Sequence, residues 1–207
     1  PFILADPAFC LHTEQLTDTP EKYVVFSMRP SKKVRPEVLY KNCAQFIDWL
    51  WQKHGLKSVL IPFQVSYDND ALMLNKIFEL VTHKEAVSVL SFTDDYKKVI
   101  HVIEKSYAVV GMRLHSLLFS VLTEKPFLAL SYSNKIDQFI QDIEMEEFLL
   151  PVENISFKLL CERFQHLMNH YDVTNTTLTE HCFLLRRKAH GHEELLKQIL
   201  KSLELSA

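Results

Sequence analysis

Residues 111–115, Gly-Met-Arg-Leu-His, combine a fixed cation with a titratable imidazole. They lie between an apolar run at 107–110, which predicts a buried strand, and an apolar stripe at 114–122, which predicts a helix. The first N–H groups of a helix have no partner within it, so an anion binds there readily. Arginine offers a planar fork for carboxylate or phosphate, and histidine can donate or accept a proton near neutral pH. The pattern indicates an anion site with an acid or base beside it.

Arg113 and His115 are two positions apart, a spacing that directs side chains to different sides of a regular helix. At a junction between loop and helix the first residues are not yet on the helical spiral, so both side chains can reach one ligand. The ordinary alternative is that Arg113 caps a neighbouring element and His115 is a hydrogen-bonded, half-buried histidine. Spacing alone leaves both interpretations open.

Apolar β-rich runs alternate with helical patterns over most of the chain. The runs are apolar on both faces and each precedes a helix, which favours a parallel sheet covered on both sides. We therefore predict an α/β fold with a doubly wound, mostly parallel, Rossmann-like sheet of about six strands and C-terminal helices. The predicted strands are 23–28, 57–62, 87–90, 107–110, 126–131 and 148–150, and the predicted helices are 36–54, 70–82, one capped at 93–95 and reaching 105, 114–122 and 134–144.

The same patterns divide the chain into three parts. Residues 1–19 are interpreted as an interdomain segment and 20–155 as a Rossmann-like, donor-binding domain. Residues 156–207 are interpreted as a helical extension packed on the same domain, with helices at 156–170 and 177–203.

In an open parallel sheet, ligands bind outside the carboxyl ends of the strands. Arg29 follows the first predicted strand, Arg113 and His115 follow the fourth, and Lys135 comes after the fifth. We expect Arg29, Arg113 and His115 to lie within reach of one small anion, with Arg113 on an accessible edge. The competing interpretation of Arg29 is a surface arginine in the basic stretch 29–35.

The composition argues against several classes of protein. The net charge of −3 gives no reason to expect nucleic acid as a partner. No run approaches the roughly 18–20 apolar residues of a transmembrane helix. With only 3 glycines in the chain, a Gly-rich phosphate loop is absent, so any anion site must be built another way.

The cysteines and histidines suggest no metal centre. The 4 cysteines are scattered without C-x-x-C spacing, as in reduced, mostly buried thiols of a cytosolic protein. The pairs His166 and His170, and His190 and His192, have close spacing, but no Cys or carboxylate set accompanies them, so we expect solvated histidines. Because the first residue is Pro1 rather than methionine, we expect the sequence to begin inside a longer protein.

Several segments, taken in order, resemble one known family. The most specific is 111–117, Gly-Met-Arg-Leu-His-Ser-Leu, followed by 125–132, Lys-Pro-Phe-Leu-Ala-Leu-Ser-Tyr, and 135–139, Lys-Ile-Asp-Gln-Phe. Together they resemble the C-terminal half of the polysaccharide pyruvyl transferase family, in its bacterial cell-wall and exopolysaccharide branch. Weaker pieces of the same resemblance are 6–9, Asp-Pro-Ala-Phe; 27–30, Ser-Met-Arg-Pro; and 61–63, Ile-Pro-Phe, with Asp68 or Asp70.

The resemblance implies a fold similar to half of a two-domain glycosyltransferase of the double-Rossmann, GT-B-like kind, with an N-terminal half-domain missing from this chain. The implied reaction transfers the enolpyruvyl group of phosphoenolpyruvate to two hydroxyls of a cell-surface polysaccharide sugar as a cyclic ketal, releasing phosphate. In the family, the arginine and histidine of the Arg-Leu-His motif line the donor site. Carried over, His115 is catalytic, and the donor-binding residues are Arg29, Arg113, Leu114 and Lys135. No metal and no cofactor besides the donor substrate is implied.

The chemistry suits these residue types. Phosphoenolpyruvate carries a carboxylate and a phosphate, which two arginines and a helix N-terminus complement. Ketal formation needs a proton delivered to the methylene carbon, and His115 is the obvious acid. A base for the attacking hydroxyl is not evident in the sequence.

Two other classes of function stay open. A GT-B-type glycosyltransferase domain would want Asp or Glu for a ribose on the helix after the fourth strand, where only apolar residues and Ser116, Ser120 and Thr123 occur. A non-catalytic remnant or interaction module would not need an intact Arg-Leu-His motif. The expected partners are phosphoenolpyruvate and a saccharide acceptor, in the cytoplasm, where a lipid-linked acceptor would bring the protein to the membrane. The acceptor sugar and the oligomeric state stay open.

Overall fold

The computed structural model describes residues 5–11, 21–66 and 69–204. Within them, six parallel strands form one sheet in the order β3-β2-β1-β4-β5-β6. This is the order of a doubly wound Rossmann sheet, so the predicted α/β fold is confirmed. The strands are β1 (Tyr23–Ser27), β2 (Lys57–Leu60), β3 (Val87–Val89), β4 (Ala108–Gly111), β5 (Phe127–Ser131) and β6 (Leu149–Pro151).

Helices follow the strands on both faces of the sheet, as right-handed crossovers between parallel strands require. The central strands β4 and β5 are buried along their whole length, which explains their apolar sequences. The helices are α1 (Pro36–His54), α2 (Asp70–Leu80), α3 (Tyr96–Lys105), α4 (Leu114–Leu122), α5 (Asn134–Asp142), α6 (Phe157–Asn169) and α7 (Tyr171–Glu204).

The first helix has the bounds that the sequence predicts. Pro36 occupies its first turn, where a missing N–H costs nothing. Gly55 ends it in the left-handed conformation with φ of 64°, and the Gly55 N–H donates to the carbonyls of Leu50 and Trp51. Proline and glycine therefore set both ends of α1.

The last helix begins earlier than predicted, at Tyr171 rather than residue 177. The threonine-rich first turns have low helix propensity, which is why the sequence pattern places the start too late. Tertiary contacts overcome that propensity: the Tyr171 ring stacks on Tyr107 with centroids 4.7 Å apart, and its hydroxyl donates to the Tyr107 carbonyl at 3.0 Å. Hydroxyls of the first turns also donate to carbonyls four residues back, as Thr176 does to Asp172.

Part of the predicted interdomain segment lies against this last helix. Residues 7–10 form one 3-10 turn whose Phe9 is buried in the core. Arg186 of α7 donates from Nη1 to the Leu11 carbonyl at 3.2 Å. Residues 1–4 and 12–19 of that segment, and Asp68, lie outside the described residues.

Candidate functional site

The carboxyl ends of β1 and β4 meet at the point where the strand order reverses. In sheets of this kind the crevice at that point is where ligands bind. The Met112 N–H donates to the Ser27 carbonyl at 2.7 Å, which holds the two strand ends together. The segment 111–115 thus begins at the switch point of the sheet.

Gly111 lets α4 approach β4 closely. A Cβ at this position would lie 2.6 Å from Ser116 Oγ and 2.8 Å from Leu117 Cδ2, both shorter than real contacts of that kind. The Ser116 hydroxyl cannot swing away freely because it donates to the Arg113 carbonyl at 2.6 Å. The glycine is needed for the packing of helix on strand, since no side chain fits in the space.

The start of α4 has the features of an anion site. Its first residue is Leu114, and the preceding Arg113 provides no side-chain hydrogen bond to cap the helix. The N–H groups of the first turn, Leu114 and His115 among them, have no intrahelical acceptor by the geometry of a helix. Together with the helix dipole, they attract negative charge to this end of α4.

Arg113 makes a two-point ion pair with Asp70, the first residue of α2. Its Nε donates to Asp70 Oδ2 at 3.0 Å and its Nη2 to Oδ1 at 2.6 Å. The Asp70 side chain is completely buried, and that of Arg113 is 16% exposed. The expectation of an accessible Arg113 is therefore wrong for most of its side chain, because a buried carboxylate needs its cation close by.

Asp70 also orders the loop after β2. Its Oδ2 accepts the N–H groups of Phe63 at 3.1 Å and Gln64 at 3.0 Å. Burial raises the pKa of the Asp70 carboxyl, while the Arg113 guanidinium and the two N–H groups offset part of that rise. Because β2 and β4 flank β1 in the sheet, the Asp70–Arg113 pair bridges loops on either side of the β1 end.

Arg29 is held by an aromatic ring at the same edge. Its guanidinium carbon lies 4.2 Å from the Tyr132 ring centroid, and its Nη1 donates to the Tyr132 hydroxyl at 2.6 Å. Tyr132 follows β5, so the contact reaches past the end of β4, which separates β1 from β5. The stacked arginine is more than a solvated surface residue.

A cavity of ≈ 440 Å³ opens beside Arg29, and we call it the basic cavity. Its polar lining includes Lys32 and Lys33, and its aromatic lining includes Tyr40 and Tyr132. The cations come from the loop between β1 and α1. Such a cavity suits an anion, since at least three positive side chains converge on it.

His115 lines a different cavity. It is exposed, and its ring centroid lies 6.2 Å from that of Phe119, one turn further along α4. This smaller space of ≈ 190 Å³ is lined mainly by rings, and we call it the aromatic cavity. Its principal side chains are Phe63, Phe92, Asp94, Tyr96, His115 and Phe119.

The predicted site residues are thus distributed over one edge rather than around one cavity. Arg29 lines the basic cavity, His115 the aromatic cavity, and Arg113 is paired with Asp70. Lys135 is exposed at the start of α5, just after β5. That Arg29, Arg113 and His115 reach one small anion stays a prediction.

Sequence reasoning did not assign roles to Asp70 or Tyr132. Asp70 stands beside Asn69, the residue whose side chain caps α2, so the pair is typical of a helix start and gives no sign of a distant partner. In the sequence, Tyr132 is only a polar residue that follows a predicted strand. Both contacts join residues far apart in the chain, and one sequence contains no signal for such pairs.

His166, His170 and Cys43 show the contacts of ordinary structural residues, and the side chain of His192 lies outside the described part of the chain. His166 Nε2 lies 2.7 Å from Glu147 Oε2, and the His170 ring is 4.3 Å from that of His166. Among the side chains that the structure describes within residues 5–11, 21–66 and 69–204, no three His, Cys, Asp or Glu cluster as a metal site would require. Burial raises the pKa of Cys43 to about 12, as for an unreactive core thiol. Within the same ranges, no helix has the length and apolar character needed to span a membrane.

The fold and site define a Rossmann-like α/β domain with a cationic ligand-binding edge at its switch point. A model of the family described as polysaccharide pyruvyl transferase matches residues 1–134, well over half of the chain. The chain belongs to the polysaccharide pyruvyl transferase family, as its Arg-Leu-His segment suggests. No curated protein matches the sequence.

Several solved structures have a similar fold. The UDP-GlcNAc 2-epimerase of Neisseria meningitidis, bound to UDP-GlcNAc, has a TM-score of 0.63 at 14% identity over 90% of this chain and 46% of its own. S. aureus MnaA with UDP has a TM-score of 0.58 at 9% identity, over 76% and 40%. A mutant of S. aureus TarM, in complex with fondaparinux, α-GlcNAc-glycerol and UDP, has a TM-score of 0.56 at 16% identity, over 91% and 37%. The chain therefore spans less than half the length of these structures, and the likeness is one of fold.

Proposed function

We propose that this chain is the C-terminal, donor-binding part of an enzyme that transfers the enolpyruvyl group of phosphoenolpyruvate to a polysaccharide sugar as a ketal. The observation that carries the proposal is the exposed His115 at the uncapped start of α4, next to Arg113, in a chain of this family. A proton donor beside an anion-attracting helix end is what this reaction needs.

We assign donor binding to the positively charged residues at the carboxyl edge of the sheet. Arg29 and Lys135 supply charge from the loops after β1 and β5, and the Leu114 N–H supplies the end of the helix. Arg113 contributes less charge than an isolated arginine because Asp70 neutralises part of it. Lys32 and Lys33 of the basic cavity add charge for a ligand that carries both carboxylate and phosphate.

His115 acts first as an acid in the proposed reaction. It gives a proton to the methylene carbon of phosphoenolpyruvate while an acceptor hydroxyl forms a bond to the neighbouring carbon and loses its proton. The bond between that carbon and the phosphate oxygen then breaks, inorganic phosphate leaves, and a second hydroxyl of the sugar attacks with loss of its proton. One of the two hydroxyl protons restores the protonated His115 and the other leaves on the phosphate, so the products are a cyclic pyruvate ketal and hydrogen phosphate, with atoms and charge balanced.

Part of the proposed site lies beyond this sequence. The solved structures of the same fold are more than twice as long as the portion this chain matches, and we propose a further half-domain that completes the cleft. A lipid-linked saccharide acceptor, used in the cytoplasm, would associate the enzyme with the membrane surface. The acceptor and the location are both part of the proposal.

A nucleotide-sugar enzyme is the second candidate, because UDP is bound in the related structures of MnaA and TarM. The residues of α4 argue against it. Its sequence, Leu-His-Ser-Leu-Leu-Phe-Ser-Val-Leu, contains no carboxylate for a ribose, and Ser116 and Ser120 are buried with their hydroxyls donated to backbone carbonyls.

Thermal unfolding with phosphoenolpyruvate, with UDP-GlcNAc and without ligand tests the proposal. A ligand at about 100 times its Kd stabilises the folded state by about 2.7 kcal/mol, which raises the midpoint measurably. We expect a shift with phosphoenolpyruvate that Arg29→Ala removes. A shift with UDP-GlcNAc alone would favour the second candidate, and no shift with either would favour a non-catalytic module.

A further inference from the structure

Two aromatic side chains at the carboxyl edge are unusually exposed. Phe92 and Tyr96, which lie after β3 and at the start of α3, are each 43% exposed. Large rings are normally buried, and exposed ones beside a cavity mark binding sites. These two rings line the aromatic cavity together with His115, the proposed acid. The cavity therefore adjoins the place where the reaction is proposed to occur.

The carboxylate of the cavity is available to a ligand. Residues 93–95 precede α3, and the first and last of them accept hydrogen bonds from the backbone. Thr93 Oγ1 accepts the Asp95 N–H at 3.1 Å, and Asp95 Oδ1 accepts the Lys97 N–H at 3.1 Å. The middle residue, Asp94, is exposed and lines the cavity. A negative group here disfavours an anionic donor but can accept hydrogen bonds from hydroxyls.

Size restricts the occupant further. At ≈ 190 Å³ the cavity is smaller than the roughly 300–1,000 Å³ typical of sites for drug-sized ligands. Aromatic faces carry partial negative charge and pack against the weakly positive C–H face of a sugar ring. The cavity therefore matches a single neutral pyranose: its rings can pack on the C–H face, its carboxylate can accept from the hydroxyls, and its volume is small.

We propose that the aromatic cavity is the subsite for the acceptor sugar, with Phe92 and Tyr96 packing on the ring and Asp94 accepting a hydroxyl hydrogen. This inference rests on the proposed function for the identity of the ligand as acceptor. The basic cavity binds the carboxylate and phosphate of the donor, and the methylene carbon of the donor extends from it towards His115 at the rim of the aromatic cavity. The attacking hydroxyl and the carbon that takes the proton then meet beside His115.

The test is an NMR titration of the 207-residue chain with the methyl glycosides of glucose, galactose and mannose, with and without phosphoenolpyruvate. We expect at least one glycoside to bind and to perturb the Tyr96 and Phe92 ring signals. Phe92→Ala and Tyr96→Ala should each weaken binding about 2- to 10-fold, in line with aromatic packing contacts. Asp94→Asn should weaken binding by a similar factor, because a neutral amide oxygen is a poorer acceptor.

The matched control is Phe183→Ala, which removes an exposed ring of α7 that lines neither cavity and should leave glycoside affinity unchanged. Glycosides that fail to bind, or that bind all variants equally, would overturn the subsite even if phosphoenolpyruvate binds. UDP binding that depends on Phe92 and Tyr96 would also overturn it and favour a nucleotide site. Glycoside binding without phosphoenolpyruvate binding would leave the sugar subsite standing and remove the proposed transferase.

Discussion

The basic cavity and the aromatic cavity lie along the same edge of the sheet but offer opposite chemistry. The first contains Arg29, Lys32 and Lys33, and its arginine is fixed by stacking on Tyr132. The second contains exposed rings, an exposed carboxylate and His115. The residues that line the basic cavity follow β1 and β5, and those that line the aromatic cavity follow β2, β3 and β4.

The difference between the cavities teaches how one small domain can offer two unlike chemical surroundings along a single edge. An anion and a neutral sugar need different surroundings, since one requires positive charge and the other rings and hydroxyl acceptors. The Asp70–Arg113 pair fixes the loops after β2 and β4 relative to each other, and residues after both strands line the aromatic cavity.

The largest expected effect is on turnover in the aromatic cavity. In the complete enzyme, His115→Gln should lower phosphate release from phosphoenolpyruvate about 10²–10⁴-fold, because a general acid contributes that much. Donor affinity should change little, since the basic cavity is intact. His101→Gln, at an exposed histidine of α3, is the control and should keep normal turnover. Near-normal turnover in the glutamine variant would assign His115 to binding or packing.

The next largest effect concerns the buried Asp70–Arg113 pair beside the aromatic cavity. Arg113→Ala leaves the completely buried Asp70 without its cation, and we expect a loss of about 3–5 kcal/mol in the free energy of unfolding. Urea denaturation measures it. The control is Asn69→Ala, which removes the neighbouring helix cap and should cost only about 0.5–2 kcal/mol. Equal losses in the two variants would mean that the pair contributes no more than an ordinary cap.

The same variant should show a distinctive pH dependence. Burial raises the pKa of Asp70, and loss of the guanidinium raises it further. The folded state then binds a proton at a higher pH than the unfolded chain, whose aspartate titrates near 3.9. The stability deficit of Arg113→Ala should therefore shrink as pH falls from neutral towards about 4. A deficit that grows over this range would contradict the assignment.

A smaller effect is expected on the affinity for phosphoenolpyruvate, and it should differ between variants of the two cavities. Arg29→Ala removes a charged contact from the basic cavity and should weaken phosphoenolpyruvate binding about ten- to a hundred-fold, as expected for about 1.5–3 kcal/mol. Tyr96→Ala removes a ring from the aromatic cavity and should leave donor affinity unchanged. Calorimetric titration of both variants compares them directly. Similar losses in both would show that the two cavities act as one site.

The smallest expected effect is at the base of α4. Gly111→Ala forces a Cβ against Ser116 Oγ and Leu117, and overpacking of this kind costs about 1–3 kcal/mol. Because α4 must shift, both donor and glycoside binding should weaken together. Gly55→Ala is the control: it strains a left-handed residue far from the edge, so it should lower stability without changing either affinity.

Much of the fold could be predicted because its signals are local. Proline at 36 and glycine at 55 set the ends of α1, and the apolar stripe of α4 gives its bounds as Leu114–Leu122. Alternating strands and helices with short connections allow few topologies, and the parallel sheet is among them. Helix ends without such markers differ from the predicted ends by a few residues. The start of α7 is an example, because the packing of Tyr107 on Tyr171 places it earlier than predicted.

The sequence by itself determined which residues gather at the carboxyl edge, because the strands of a βα pattern run parallel and all end at the same edge of the sheet. Only the tertiary structure decided what each one contacts. Asp70 and Arg113 are 43 positions apart in the sequence, and Arg29 and Tyr132 are 103 apart. A periodic pattern of residue types gives no information about such distant pairs. The division of the edge into a basic and an aromatic cavity has the same origin, since it depends on how loops from separate strands pack side by side.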